Sequence, residues 1–171
     1  MRSWSSEVRQ AGLRVGPALL SCIVVLLLLP SSALAQKSTK IGPIDSLLEV
    51  RIGAALENAR AALSQLGTGG GRDTRDGGRK EAWTLKGTDY ATLAFKTDGK
   101  GKVVWVSAFA RPGKEISFSN LGDLSKAARA ADSQAIWNIE TPQGGYRLVA
   151  KGANGKASVV YLLSLTFPEV Q

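Results

Sequence analysis

Two stretches decide the fold: YATLAFKTDGKGKVVWVSAFARP at residues 90–112 and YRLVAKGANGKASVVYLLSLTFP at residues 146–168. Each opens on a tyrosine, runs through an apolar segment, turns at Asp98-Gly99 or Asn154-Gly155, and closes a second apolar segment on proline. Asp-Gly and Asn-Gly supply the positive φ of tight hairpin turns, so each stretch reads as a pair of antiparallel strands. A shift of 56 residues lays one on the other without a gap. Tyr90 meets Tyr146, Ala94 meets Ala150, Gly99-Lys100 meets Gly155-Lys156, Val103-Val104 meets Val159-Val160, and Pro112 meets Pro168. Trp83 corresponds to Trp137 when the second unit carries two extra residues in its first turn.

Working outward, residues 82–86 and 135–140 read as a further strand ahead of each hairpin, giving two three-stranded meanders. A helix is predicted over 46–66. Ser46-Leu47-Leu48-Glu49 has the spacing of a capping box, and Leu48, Ile52, Ala55, Ala59, Leu63 and Leu66 recur at intervals of three and four. Gly67 then ends the helix. A second, shorter helix is expected over 121–130, with Ser119 or Asn120 as its cap. Between helix and strands, residues 67–80 read GTGGGRDTRDGGRK. So many glycines among charged residues predict a flexible loop. The stretch lacks the Gly-Lys-Ser/Thr ending of a phosphate-binding loop and follows a helix rather than a strand. The fold class expected is α+β: an N-terminal helix on an antiparallel sheet, as two α-βββ repeats at about 46–112 and 119–168, in one domain spanning 46–168.

The chain's beginning sets its expected location. Arg2, Arg9 and Arg14 precede an apolar run from Val15 to Leu29, and Ala33-Leu34-Ala35 stands just before Gln36. A basic segment, an apolar segment and a small-x-small site read as a secretory signal of bacterial style, cleaved between Ala35 and Gln36. A polar leader at 36–45 follows. The apolar run falls short of the roughly 20 residues that span a bilayer, so no stable membrane span is expected after cleavage. Leu19-Leu20-Ser21-Cys22 has the look of a lipobox, but the apolar region continues through Leu29. The expected destination is the periplasm or the medium.

Composition narrows the chemistry. The chain has no histidine, one cysteine (Cys22) and one methionine (Met1), so the exported form keeps none of the three. It therefore lacks the usual general base and thiol nucleophile and the ordinary ligands of zinc, haem and iron–sulfur centres; neither metal nor cofactor is expected. Carboxylates remain, and Asp89, Asp98, Glu115, Asp123, Asp132 and Glu140 are the candidates for an acid/base pair acting on envelope glycan. Each also has a local explanation in a turn or at an element's end. There are 22 Lys and Arg against 14 Asp and Glu, a formal net charge of +8, which favours anionic partners. Nucleic acid is not expected of an exported chain whose basic residues are dispersed among acids.

The strand at 102–110 places Val103, Trp105, Ser107 and Phe109 on one side and Val104, Val106 and Ala108 on the other. Residues 158–166 are also apolar on both sides. Helices cover one face of such a sheet; the other is either covered by a further layer or offered to a partner. The candidate binding residues are Trp83, Trp105, Trp137 and Tyr161 on the sheet, with Arg111, Lys114 and Arg147 as a charged rim. In element order and export, residues 46–167 resemble the tandem helix-plus-meander domains of secreted β-lactamase inhibitory proteins and, more loosely, the small lipoproteins of outer-membrane assembly. The chain departs from the first in lacking disulfides and from the second in lacking an acylated cysteine. The function expected is that of an exported, non-enzymatic binding domain of the envelope or secretome, whose partner is a protein or an anionic envelope component. The alternatives are a carboxylate-dependent glycan hydrolase and a structural envelope protein.

Overall fold

A computed structural model describes residues 42–142 and 144–166. The signal segment, the Ala35–Gln36 site and the prolyl end at Pro168 lie outside the described residues. A small hairpin comes first, β1 (Ser46–Leu47) with β2 (Val50–Arg51), followed by helix α1 (Leu56–Ser64). Four strands follow: β3 (Gly67–Asp73), β4 (Arg79–Leu85), β5 (Tyr90–Thr97) and β6 (Val103–Ala110). After β7 (Ile116–Ser117), the four-residue helix α2 (Phe118–Leu121) and a 3-10 turn at Leu124–Lys126, four more strands complete the fold: β8 (Arg129–Ala131), β9 (Gln134–Ile139), β10 (Tyr146–Ala153) and β11 (Lys156–Ser164). They form one antiparallel sheet in the order β3-β4-β5-β6-β11-β10-β9-β8, with β7 paired to β11. The molecule is sheet-rich, and two four-stranded meanders meet at their last strands.

The inner face holds the core. Trp83 and Leu85 on β4, Leu93 and Phe95 on β5, and Val106 and Ala108 on β6 are buried on it. The second meander adds Trp137, Leu148, Ala150, Val160 and Leu162. Ala59 and Leu63 of α1, Leu47 and Val50 of the hairpin, and Phe118 and Leu121 of α2 belong to the same buried cluster. Fully burying one Leu or Phe side chain is worth about 1.5–3 kcal/mol, so these elements hold to the sheet through a few large residues each. Tyr146 Oη donates to the Ile44 carbonyl (3.1 Å), tying the entering chain to β10.

Four features differ from the sequence reading. First, the helix begins at Leu56, not Ser46. Leu48 and Glu49 adopt φ of 49° and 67°, a left-handed pair that closes a tight hairpin and turns Leu47 and Val50 into the core. The following backbone docks on β6: Gly53 N–H donates to the Val103 carbonyl, Val103 N–H to Ala54, and Leu56 N–H to Gly101. Ser46 therefore caps nothing. Second, the glycine-rich segment contains β3, paired along its whole length with β4. Third, the 121–130 region holds no continuous helix. Ser117 occupies the cap position of α2 without a side-chain bond to the helix backbone, Asp123 caps the 3-10 turn, and β8 begins at Arg129.

Fourth, the gapless 56-residue alignment is out of register with the sheet. It carries the pair Ala94–Ser107 onto Ala150 and Leu163, whereas Ala150 pairs with Val160. The turn between β5 and β6 is the longer one: the Asp98 carboxylate accepts from the Lys100 and Lys102 N–H groups, and Asp98 N–H donates to the Lys102 carbonyl. The second turn needs only Asn154 and Gly155, both at positive φ. A one-residue slip exchanges the faces of a strand, so the 56-residue shift sends inward Leu93 and Phe95 to outward Val149 and Lys151. The face-preserving match pairs Trp83 with Trp137, Leu93 with Leu148, and Val106 with Val160. A bulge at Ala91 restores Tyr90 to Tyr146.

Candidate functional site

Strand pairing fixes which residues share the outer face. Three rows cross it. The first runs Arg72–Lys80–Lys96–Trp105–Leu163–Arg147–Asn138, each residue directly opposite the next. The second runs Gly70–Ala82–Ala94–Ser107–Tyr161–Val149–Ile136–Arg129. The third runs Thr68–Thr84–Thr92–Phe109–Val159–Lys151–Gln134–Ala131. Within these rows every charged residue is basic. Trp105, Phe109, Tyr161 and Leu163 stand over the seam where the two meanders join. Phe109 is 43% exposed, Trp105, Tyr161 and Leu163 are partly exposed, and no described element packs across them.

Three cations directly opposite one another are an unfavourable arrangement, since like charges across a ladder repel. Two local contacts offset part of it. Lys96 Nζ donates to Asp76 at 2.6 Å, and Lys80 Nζ lies 5.4 Å from the centroid of the Trp105 ring. The Asp76 carboxyl is held down to about 2, chiefly by the Lys96 hydrogen bond. Arg72 is exposed. At the centre of the middle row, Ser107 is fully covered and its hydroxyl has no hydrogen-bond partner. Such a group costs about 1–3 kcal/mol.

The expected binding residues divide by face. Trp105, Tyr161 and Arg147 lie on the outer face, Arg147 Nε donating to the Asn138 side chain. Trp83 and Trp137 lie on the inner face, 9% and 1% exposed, and belong to the core. The Trp83 indole N–H donates to Glu81, and that of Trp137 to the Asp123 carbonyl, so neither is presented to a partner. The reason is parity: pairing places Trp83 beside Leu93, and Trp137 beside Leu148, on the covered side. Arg111 is also occupied, donating to the Thr88 and Leu85 carbonyls that close the β4–β5 turn. Lys114 lies 3.4 Å from Asp89 at the same end of the sheet. Sequence reasoning does not group Arg72, Lys80 and Lys96 with the aromatic residues, because two of the three fall in the segment read as a loop, where their alternation is hidden.

A second polar group lies beneath α1. Glu81, 2% exposed, accepts from Arg60 (2.6 and 3.0 Å), Arg79 (2.7 Å) and the Trp83 indole (3.3 Å). Burial by itself raises a carboxyl, but the two guanidinium hydrogen bonds outweigh it and hold Glu81 below its ordinary value. Both arginines are raised, chiefly by their hydrogen bonds to Glu81. With Glu57 and Asp73 completing it, the network sets two guanidinium groups among three carboxylates and ties α1 to β4 through Arg60 and Glu81.

Four of the six carboxylates considered for catalysis, Asp89, Asp98, Glu115 and Asp123, make local contacts. A cleft of about 550 Å³ at one end of the sheet is lined by Asp45, Arg51, Asp98, Lys102 and Tyr146, among others. Asp98 is engaged by turn N–H groups, and Asp45 lies 3.8 Å from Arg51. Glu115 accepts from Gly113 N–H and Asp123 from Ser125. Among the described residues no group of three acidic, His or Cys side chains is placed to hold a metal ion, and no helix is long and apolar enough to cross a membrane. No family model, curated protein or solved structure matches the chain.

Proposed function

We propose that this is a non-catalytic binding domain of the bacterial envelope or secretome that engages an anionic partner through the outer sheet face. The observation that carries the reading is the composition of the three rows: aromatic and aliphatic residues over the seam and, among the charged residues of the rows, basic ones only, of which Lys96 is paired with Asp76. Apolar centres desolvated inside a charged rim supply affinity, and the rim steers encounter with the opposite charge. In this reading the fold is α+β, α1 packs on the inner face, and the outer face is free for the partner. Export follows the signal segment, and the named carboxylates keep turns rather than attack glycan.

The test compares the exported protein with two variants, Lys80→Gln/Lys96→Gln and Trp105→Ala/Tyr161→Ala, for capture of components from envelope extract. Both variants are expected to keep their far-ultraviolet spectrum and cooperative unfolding while losing most captured material. Unfolding of Trp105→Ala/Tyr161→Ala would make both residues part of the core and overturn the reading. So would undiminished capture by both folded variants.

A further inference from the structure

We infer that the anionic partner is a lipid surface, with Arg72, Lys80 and Lys96 on its acidic head groups and Trp105, Phe109 and Tyr161 at the boundary between head groups and acyl chains. The inference rests on the binding-face reading and names what the face binds. Its support is the division of the first row: cations occupy β3, β4 and β5, and apolar residues begin at Trp105 on β6 and continue to Leu163 on β11. Trp and Tyr partition to the interfacial layer of a bilayer, and basic residues near an anionic surface gain about 1 kcal/mol each. An array of acidic head groups meets Arg72 and Lys80 directly and Lys96 in competition with Asp76, which relieves the repulsion that remains in the row. The small residues Gly70, Ala82 and Ala94 leave the neighbouring row on β3, β4 and β5 without long side chains beside Trp105. A second copy of this chain is the poorer occupant, because stacking two such faces sets basic rows against basic rows.

The experiment is co-sedimentation of the exported, processed protein with vesicles of phosphatidylglycerol mixed with phosphatidylcholine, against phosphatidylcholine alone. All variants share one N terminus. The wild type is expected to sediment with anionic vesicles only, less so as salt is raised. Lys80→Gln/Lys96→Gln is expected to bind about thirtyfold more weakly, from two cations at the surface value. Trp105→Ala is expected to bind about tenfold more weakly. The control, Arg51→Gln/Lys126→Gln, makes the same change in net charge away from the face and should bind as the wild type does. Equal loss in the control means charge without direction and overturns the inference, as does failure of the wild type to sediment. If vesicles are ignored while extract components are still captured through Lys80 and Trp105, the lipid inference fails and the binding face stands. If the face variants alter neither measurement, both fall.

Discussion

Glu81 shows at the scale of one residue how a buried charge is made tolerable. Its carboxylate is almost without solvent contact, yet it accepts from two guanidinium groups that keep a third of their own surface in water. Removing the charge leaves Arg60 and Arg79 facing a neutral amide. Breaking a fully buried pair costs about 3–5 kcal/mol; with the arginines part-exposed, Glu81→Gln is expected to lose about 2 kcal/mol in urea unfolding at neutral pH. The pH dependence has a defined sign. The folded carboxyl titrates below its ordinary value, so its contribution is complete above the unfolded value, near 4.5. That contribution is lost as pH falls through the lower folded value. Wild-type stability should therefore decline as pH falls below the unfolded value near 4.5, and Glu81→Gln should decline less over that range. The limb that remains belongs in part to Asp76, whose carboxyl is held at about 2 by Lys96 and whose contribution disappears at still lower pH. A decline as steep in the variant as in the wild type would show that Glu81 plays no such part.

At the scale of an element, β3 is a strand built from residues that discourage strands. Gly69 pairs with Trp83 and Gly71 with Glu81, and these partners lay their side chains over the glycine backbones. A Cβ on Gly69 would fall on the Trp83 indole, and one on Gly71 on the Glu81 side chain and the Lys80 carbonyl. Gly70 points the other way into open space. Gly69→Val is thus expected to lower stability by about 2 kcal/mol through displacement of Trp83. Gly70→Thr should be neutral or gain up to about 0.5 kcal/mol through better strand propensity. Thermal unfolding of the two variants separates the effects, and equal outcomes would mean that Trp83 does not need the bare backbone.

The same strand shows where local sequence stops being readable. Glycine content argues for disorder unless the partner strand is known, and Trp83 lies fourteen residues away from Gly69 in the chain. The central strands were legible because alternation and the Asp98-Gly99 and Asn154-Gly155 turns are local signals. The Ser46–Glu49 spacing was misleading because a hairpin at Leu48-Glu49 satisfies Leu47 and Val50 better than a helix does. For the binding face, parity along β6 correctly grouped Trp105 with Phe109, but only pairing across strands separates them from Trp83 and brings Lys80 and Lys96 alongside.

For the whole molecule, the seam between β6 and β11 decides whether two meanders behave as one body. Val106 faces Leu162 and Ala108 faces Val160 across it, all essentially without solvent contact. The buried cluster runs unbroken from Trp83 to Trp137 through these four residues. Neither meander alone covers both sides of its last strand, since each leaves β6 or β11 as an unpaired apolar edge. The expectation is one cooperative transition. With Trp105 replaced by Phe, single-tryptophan variants retaining Trp83 or Trp137 in the exported protein should each give a fluorescence midpoint in urea that coincides with its own circular-dichroism midpoint. Leu162→Ala empties a seam position and should remove about 2–5 kcal/mol. Because the seam belongs to both halves, the fall must appear equally at the Trp83 probe, which lies on β4, three strands from β11. A fall confined to Trp137 would divide the sheet into two independently folding meanders, and the face that spans them would then lack the rigid floor on which its aromatic and basic residues are aligned.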